Sequence, residues 1–233
     1  MANILLDRFV RAVPKQFVAR LLERQQSIYL QSIELAFNES WSRVEATNVL
    51  PHIRRGLMES EFRKAGLECA LKVFDMPHAG DNCSCVMVKA DGLILTEHYV
   101  DGPGQFVRDA KSRKQNIAVN SWLDEYADEN LLIHPLPKLG RKPIYLNVLH
   151  GSPHSNRDSD IPIVDASNCF FRIAIPEEGT SKYLYNWSAQ EILLAYATAG
   201  DAAVAPLTVE DNARPRRKAQ LVKLKKIAMG SSE

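Results

Sequence analysis

The chain has 233 residues, 45% of them hydrophobic and 24% charged, with a net charge of +1 and four cysteines. That length supports one large domain with its own core or two small ones, in the composition range of ordinary globular proteins. No apolar run approaches the roughly 20 residues of a membrane span, Asp7, Arg8 and Arg11 interrupt the N-terminal apolar segment where a secretory leader would not be charged, and so few cysteines point to reduced thiols in the cytoplasm.

Residues 1 to about 66 read as helical. The segment from Pro14 to Thr47 carries Phe17, Leu21, Ile28 and Leu35 at helical spacing with no internal Gly or Pro after its start, and Pro14 itself suits a first helical turn. "TNVLP" at 47–51 reads as a break before a second helix, with Gly66 as its C-terminal cap. From Leu67 the pattern turns to strands. "LECALKVFDM" precedes a turn-rich "PHAGDN", and "CSCVMVKADGLILTEHYV" reads as a hairpin turning at Asp91-Gly92.

A helix is expected to begin near Gln105 in "GPGQFVRDAKSRKQN", and residues 121–143 are rich in loop formers. "IYLNVLHG", "IPIVDAS" and "CFFRIAIP" read as strands, and "WSAQEILLAYATA" as a helix capped by Ser188 and stopped by Gly200. The fold class is therefore α+β: a helical part of about 60 residues on a mainly antiparallel sheet of about five or six strands, with a covering helix. The expected division is a helical region at 1–66, an α+β core at 67–200, and a linker with a basic tail at 201–233.

Charge is unevenly spread. From Ala213 onward, Arg214, Arg216, Arg217, Lys218, Lys223, Lys225 and Lys226 face only Glu233, a net +6, so the first 212 residues carry −5. A basic tail on an acidic body suits a polyanionic partner, nucleic acid or an acidic protein first and a membrane last. Leu221, Leu224 and Ile227 also give the tail an amphipathic reading, and a disordered solubilising terminus is the plainest one. A helix from Gln105 would set Arg108 and Lys111 on one face with Lys114 close by, and its N-terminal amides after a Gly-rich turn would suit a phosphate. A solvated helical face fits the same residues.

Three further constellations carry chemistry. With a two-residue turn at Asp91-Gly92, Cys85 pairs His98, so Cys83, Cys85 and His98 share one hairpin face, three of the four ligands of a structural zinc. Met87, Ile94 and Val100 make that face read equally as core. "HGSPHSNRDSD" holds His150, His154, Arg157 and Asp158: an acid and a base, a phosphate-binding arginine and a carboxylate, or simply an exposed loop. A restriction-type nuclease core wants an acid followed by E-x-K. Here Glu97 is followed by Tyr99 where the lysine belongs, leaving Lys89 on the neighbouring strand as a substitute.

The expected function is that of a cytosolic binding or regulatory protein engaging nucleic acid or an acidic partner, as an accessory of a toxin–antitoxin or phage-defence type system. Self-association through the N-terminal helices would fit that role. The alternatives are a nuclease-like enzyme using the His150 loop and a zinc protein. No cofactor is expected, with zinc or magnesium the metals these donors would take.

Overall fold

The computed structural model describes residues 4–37, 41–77, 84–108, 110–123, 142–152 and 169–200. Residues 1–202 form one compact unit, an α+β fold of three N-terminal helices, a six-stranded mixed sheet and a closing helix. No described helix is long and apolar enough to cross a membrane.

Helices α1 (Ile4–Ala12) and α2 (Lys15–Ala36) meet at Pro14, whose extended backbone ends one helix and starts the next. Helix α3 (Arg43–Glu68) starts at Ser42, which forms a capping box with Glu45: the Ser42 hydroxyl accepts from the Glu45 amide, and the Glu45 carboxylate accepts from the Ser42 amide. Those bonds favour the Glu45 carboxylate and lower its pKa. The break expected at 47–51 is absent, and Pro51 lies inside α3. Pro51 removes one backbone bond, but on an exposed side of the helix, while Ala46, Leu50, Arg54 and Met58 bury the other side. Packing outweighs the local penalty.

Gly66 does not cap α3, which runs on to Glu68 and so also takes the first residues of the strand expected from Leu67. A side chain at Gly66 would place its Cβ 2.7 Å from Val73 Cγ2, so this glycine lets the helix lie against the sheet. The cap is made by Ala70 at φ 55°, with the Leu71 amide donating to Gly66 O and the Ala70 amide to Leu67 O.

The sheet runs β1 (Lys72–Pro77), β2 (Ser84–Ala90), β3 (Leu93–Tyr99), β4 (Ile144–Gly151), β5 (Phe170–Pro176) and β6 (Tyr183–Ser188) in spatial as in sequence order. All neighbours are antiparallel except β3 and β4, which are parallel. The β2–β3 hairpin turns at Asp91-Gly92 as expected, with φ 40° and 79°, the two positive values a tight primed turn needs. Arg8 from α1, itself buried, donates to the carbonyls of Lys142 (2.9 Å) and Asp91 (3.4 Å), tying this turn to the start of β4.

The segment β6 carries no clear alternation and was not expected as a strand, while "IPIVDAS" lies outside the described residues, as does the tail. The closing helix α5 (Ala189–Thr198) has the expected cap at Ser188, joined by Glu191, and Gly200 follows its end at φ 69°.

The inner face of the sheet meets the helices. Leu5, Phe9, Phe17, Leu21 and Phe62 pack on Val86, Val88, Leu93, Leu95, Ile144, Leu146 and Val148 in one apolar cluster that also takes in Ile192 and Tyr196 of α5. Each such side chain contributes about 1.5–3 kcal/mol on burial. The outer face is partly covered by residues 102–108, by the short helix α4 (Lys111–Ile117) and by the 3-10 turn Ala118–Asn120. Asn120 closes the gap where β4 and β5 part, exchanging hydrogen bonds with the Tyr145 backbone and donating to Pro176 O at 3.0 Å.

Candidate functional site

Alternation along β3 sends Glu97 and Tyr99 to the inner face and Thr96 and His98 to the outer. The parallel register with β4 sets Tyr99 beside His150 and Thr96 beside Asn147. Two polar clusters result, back to back through the sheet.

On the inner face His150 bridges Glu97 and Tyr29. Its Nε2 meets the Glu97 carboxylate, and its Nδ1 lies 2.7 Å from the Tyr29 hydroxyl. Burial pushes the Tyr29 phenol far above its ordinary range. The phenol therefore keeps its proton, and in the tautomer whose Nε2–H donates to the carboxylate, Nδ1 accepts from it. Arg54 stacks its guanidinium 4.3 Å from the centre of the Tyr29 ring and 5.5 Å from that of Tyr99. Its Nε is 3.5 Å from Ser32 Oγ, and the guanidinium also acts on the Tyr99 hydroxyl. Burial lifts the Tyr99 phenol to about 12. Tyr29 and His150 have no exposed surface, and the Glu97 side chain is 4% exposed.

On the outer face Thr96 Oγ1 lies 2.7 Å from the Tyr145 hydroxyl and 2.8 Å from His98 Nε2, closing a triangle with a 3.3 Å His98–Tyr145 contact. Burial, then the charge of Arg113, holds His98 well below the usual histidine range, so its ring is neutral at pH 7. Asn147 is fully buried between His98 and Tyr183, and its side chain acts on both, favouring the protonated His98 ring and the ionised Tyr183 phenol against their burial.

Arg113 of α4 is half-buried, and desolvation lowers its pKa. It donates to Arg108 O and acts on His98, Tyr145, Tyr183 and Cys85, with Arg55 of α3 as a second positive charge at the same place. These groups gather where the hairpin opens. The β2–β3 ladder ends at Met87–Thr96, and the Val86 amide donates to Glu59 of α3 at 2.8 Å.

The expected site residues fare as follows. Cys85 and His98 do lie on the outer face, but the ladder stops before they could pair, and Cys83 lies outside the described residues. Among the described residues no three His, Cys, Asp or Glu side chains are grouped to hold a metal. The Cys85 thiol is raised, by burial first and then by Glu59. His150 stands in β4, sealed in the core, rather than in the polar loop, whose His154, Arg157 and Asp158 lie outside the described residues.

Lys89 cannot stand in for the missing nuclease lysine. It projects from the outer face, over the Phe74 ring at 4.8 Å, whereas Glu97 points inward to His150. The helix expected from Gln105 begins at Lys111, so Arg108 precedes it in non-helical backbone and shares no helical face with Lys111 and Lys114, and the Gly-rich turn does not lead into a helix N-terminus. The basic residues Arg214, Arg216, Arg217, Lys218, Lys223, Lys225 and Lys226 lie outside the described residues.

No local sequence pattern marks Tyr29, Arg54, Asn147, Tyr145, Tyr183, Arg55 or Arg113 as members of a cluster. Only the inward alternation of Glu97 signalled a buried charge in need of a partner. Comparison with family models, curated proteins and solved structures finds no match to this chain.

Proposed function

We propose that this chain is a binding or regulatory protein that engages a polyanion, nucleic acid before an acidic protein, and that its contacts are electrostatic rather than catalytic. The observation that carries the reading is the charge segregation, a +6 C-terminal segment on a −5 body. The exposed Arg55, Arg108 and Lys114 side chains add positive surface on the compact unit. The sealing of Glu97, His150 and Tyr29 supports the non-catalytic half of the proposal. The best-formed acid–base array among the described residues spends its hydrogen bonds on itself, and a general base has to reach its substrate.

The test is salt-dependent binding of mixed-sequence duplex DNA, single-stranded RNA and polyglutamate by the full chain and by a version ending at Asn212. Seven tail contacts to phosphate predict a log–log salt slope of about −6 for DNA, falling close to zero without the tail. Equal affinity of the two versions for every polyanion at low salt would refute the proposal.

A further inference from the structure

We propose that the far end of the α2–α3 helical hairpin is a self-association surface, on which two copies of this chain pair about a twofold axis. The inference is independent of the tail and of polyanion binding.

It starts from where the core ends. The last apolar side chains that α2 and α3 share with the sheet are Ile28, Tyr29, Leu57 and Met58, gathered with Tyr99 and Cys169. Both helices continue past that level, α2 as far as Ala36, a further rise of about 10 Å. There the fully buried side chains are small ones, Ser32, Ala36 and Ala46, with Leu50 the largest apolar group nearby. Ala36, Ala46 and Leu50 belong to no apolar cluster with the sheet. The two helices thus pack on each other here without a core of large side chains between them.

The large apolar side chains stand on the outside instead. Seven such side chains are well exposed among the described residues, and Leu30, Leu35, Trp41 and Val44 are four of them, at 46%, 44%, 40% and 70%. Leu30, Ile33 and Phe37 follow at i, i+3 and i+7 and form one stripe on α2, with Ile33 and Phe37 half-buried. Trp41 and Val44 stand at the same tip, where antiparallel helices joined by a short turn lie about 8–10 Å apart. Leu35 projects from the other flank of α2 and is no part of this patch. Helices ordinarily turn such a stripe inward, and an exposed one rimmed by polar residues marks an interface.

Charge and size select the partner. From Ile28 to Ile53 the chain carries only Glu34, Glu39, Arg43 and Glu45 as charged residues, a smaller share than its 24% overall, and both signs are present. Glu45 is committed to the cap at Ser42. The surface therefore neither repels its own copy nor singles out a partner of one charge. A second hairpin laid across it supplies the missing core in the manner of a four-helix bundle, and a twofold axis gives each stripe an identical complement.

At about 60–120 Å² for a whole aliphatic side chain and up to about 250 Å² for an aromatic one, the exposed parts of Leu30, Ile33, Phe37, Trp41 and Val44 come to about 300 Å² per protomer. Two such patches face to face hide about 600 Å² of apolar surface, which with a polar rim of ordinary proportion makes an interface of about 1,000 Å². That reaches the size a specific interface needs, at the end of the range where dissociation constants are micromolar.

The experiment is sedimentation equilibrium of the full chain from about 1 to about 100 µM in about 0.5 M salt, which screens contacts made by the tail and spares an apolar interface. A reversible monomer–dimer equilibrium with a dissociation constant of about 1–20 µM is expected. Val44→Glu and Leu30→Glu, at positions exposed in the protomer, should each weaken it at least about tenfold, with circular dichroism and the urea midpoint unchanged. Leu194→Glu, at a residue 64% exposed on α5, should leave the dimer as it is.

A chain that stays monomeric at about 100 µM would overturn the proposal. Thiol labelling of Val44→Cys, read against the parent chain, then shows what the arm meets: slow reaction means that the rest of this chain covers the face, and fast reaction that it stands open to a different protein. A dimer that both glutamate variants leave intact would overturn it equally, since the copies would then meet elsewhere. Loss or persistence of DNA binding on tail deletion bears on the polyanion reading alone.

Discussion

Tyr29→Phe isolates a single buried hydrogen bond. The ring stays, and with it the edge contact to His150 and the stacking of Arg54, because neither needs the hydroxyl. Only the 2.7 Å bond from the phenol to His150 Nδ1 is lost. His150 and Tyr29 have no exposed surface, so no solvent reaches the freed nitrogen, and an unsatisfied buried acceptor costs about 1–3 kcal/mol. A loss of about 2 kcal/mol corresponds to a fall of about 4–8 °C in melting temperature for a unit of this size.

Glu97→Gln is the companion. It keeps an acceptor for Nε2–H but removes the charge, and the two substitutions act on opposite sides of one imidazole. Their double-mutant cycle should therefore show a coupling of about 0.5 kcal/mol or more. The assay is urea unfolding followed by fluorescence and circular dichroism with a common m-value. A Tyr29→Phe cost below about 0.5 kcal/mol, or strictly additive single effects, would show that the Tyr29–His150–Glu97 chain is not a bonded unit.

Two further outcomes are expected. Ala70→Gly should stabilise the fold by about 0.5–1 kcal/mol, because Ala70 is exposed, sits at φ 55° in the cap of α3, and only its Cβ opposes that conformation; an unchanged urea midpoint would contradict the cap. Because His98 has a folded pKa well below its unfolded 6.5, the unfolded chain binds the proton first as pH falls. Stability should therefore drop by up to about 1.4 kcal/mol per pH unit below pH 6.5 until carboxylates titrate, and His98→Gln should flatten that part of the profile. A slope unchanged in the variant would mean that another group carries it.

Much of the architecture was legible because it is written in local rules. The α+β class, the Asp91-Gly92 hairpin and the cap at Ser188 follow from turn chemistry, alternation and capping, all contained within a few residues. The Ser42–Glu45 capping box was equally local and would have placed the start of α3 after residue 42 instead of after 51. Pro51 and Gly66 misled because their effects are set by what lies opposite. Solvent beside Pro51 makes its missing donor tolerable, and Val73 against Gly66 makes it a contact rather than a stop.

The clusters belong to the tertiary structure alone. Glu97 meets His150, 53 residues away, only because β4 runs parallel to β3, and His150 meets Tyr29, 121 residues away, only because α2 crosses that end of the sheet. Periodicity along one segment cannot encode such meetings, since it states which face a side chain occupies but not what stands across from it. The sequence by itself determined the charge asymmetry, the alternation of strand faces and the turns. The register between distant strands decided which polar groups meet, Tyr99 with His150 on one face and Thr96 with Asn147 on the other.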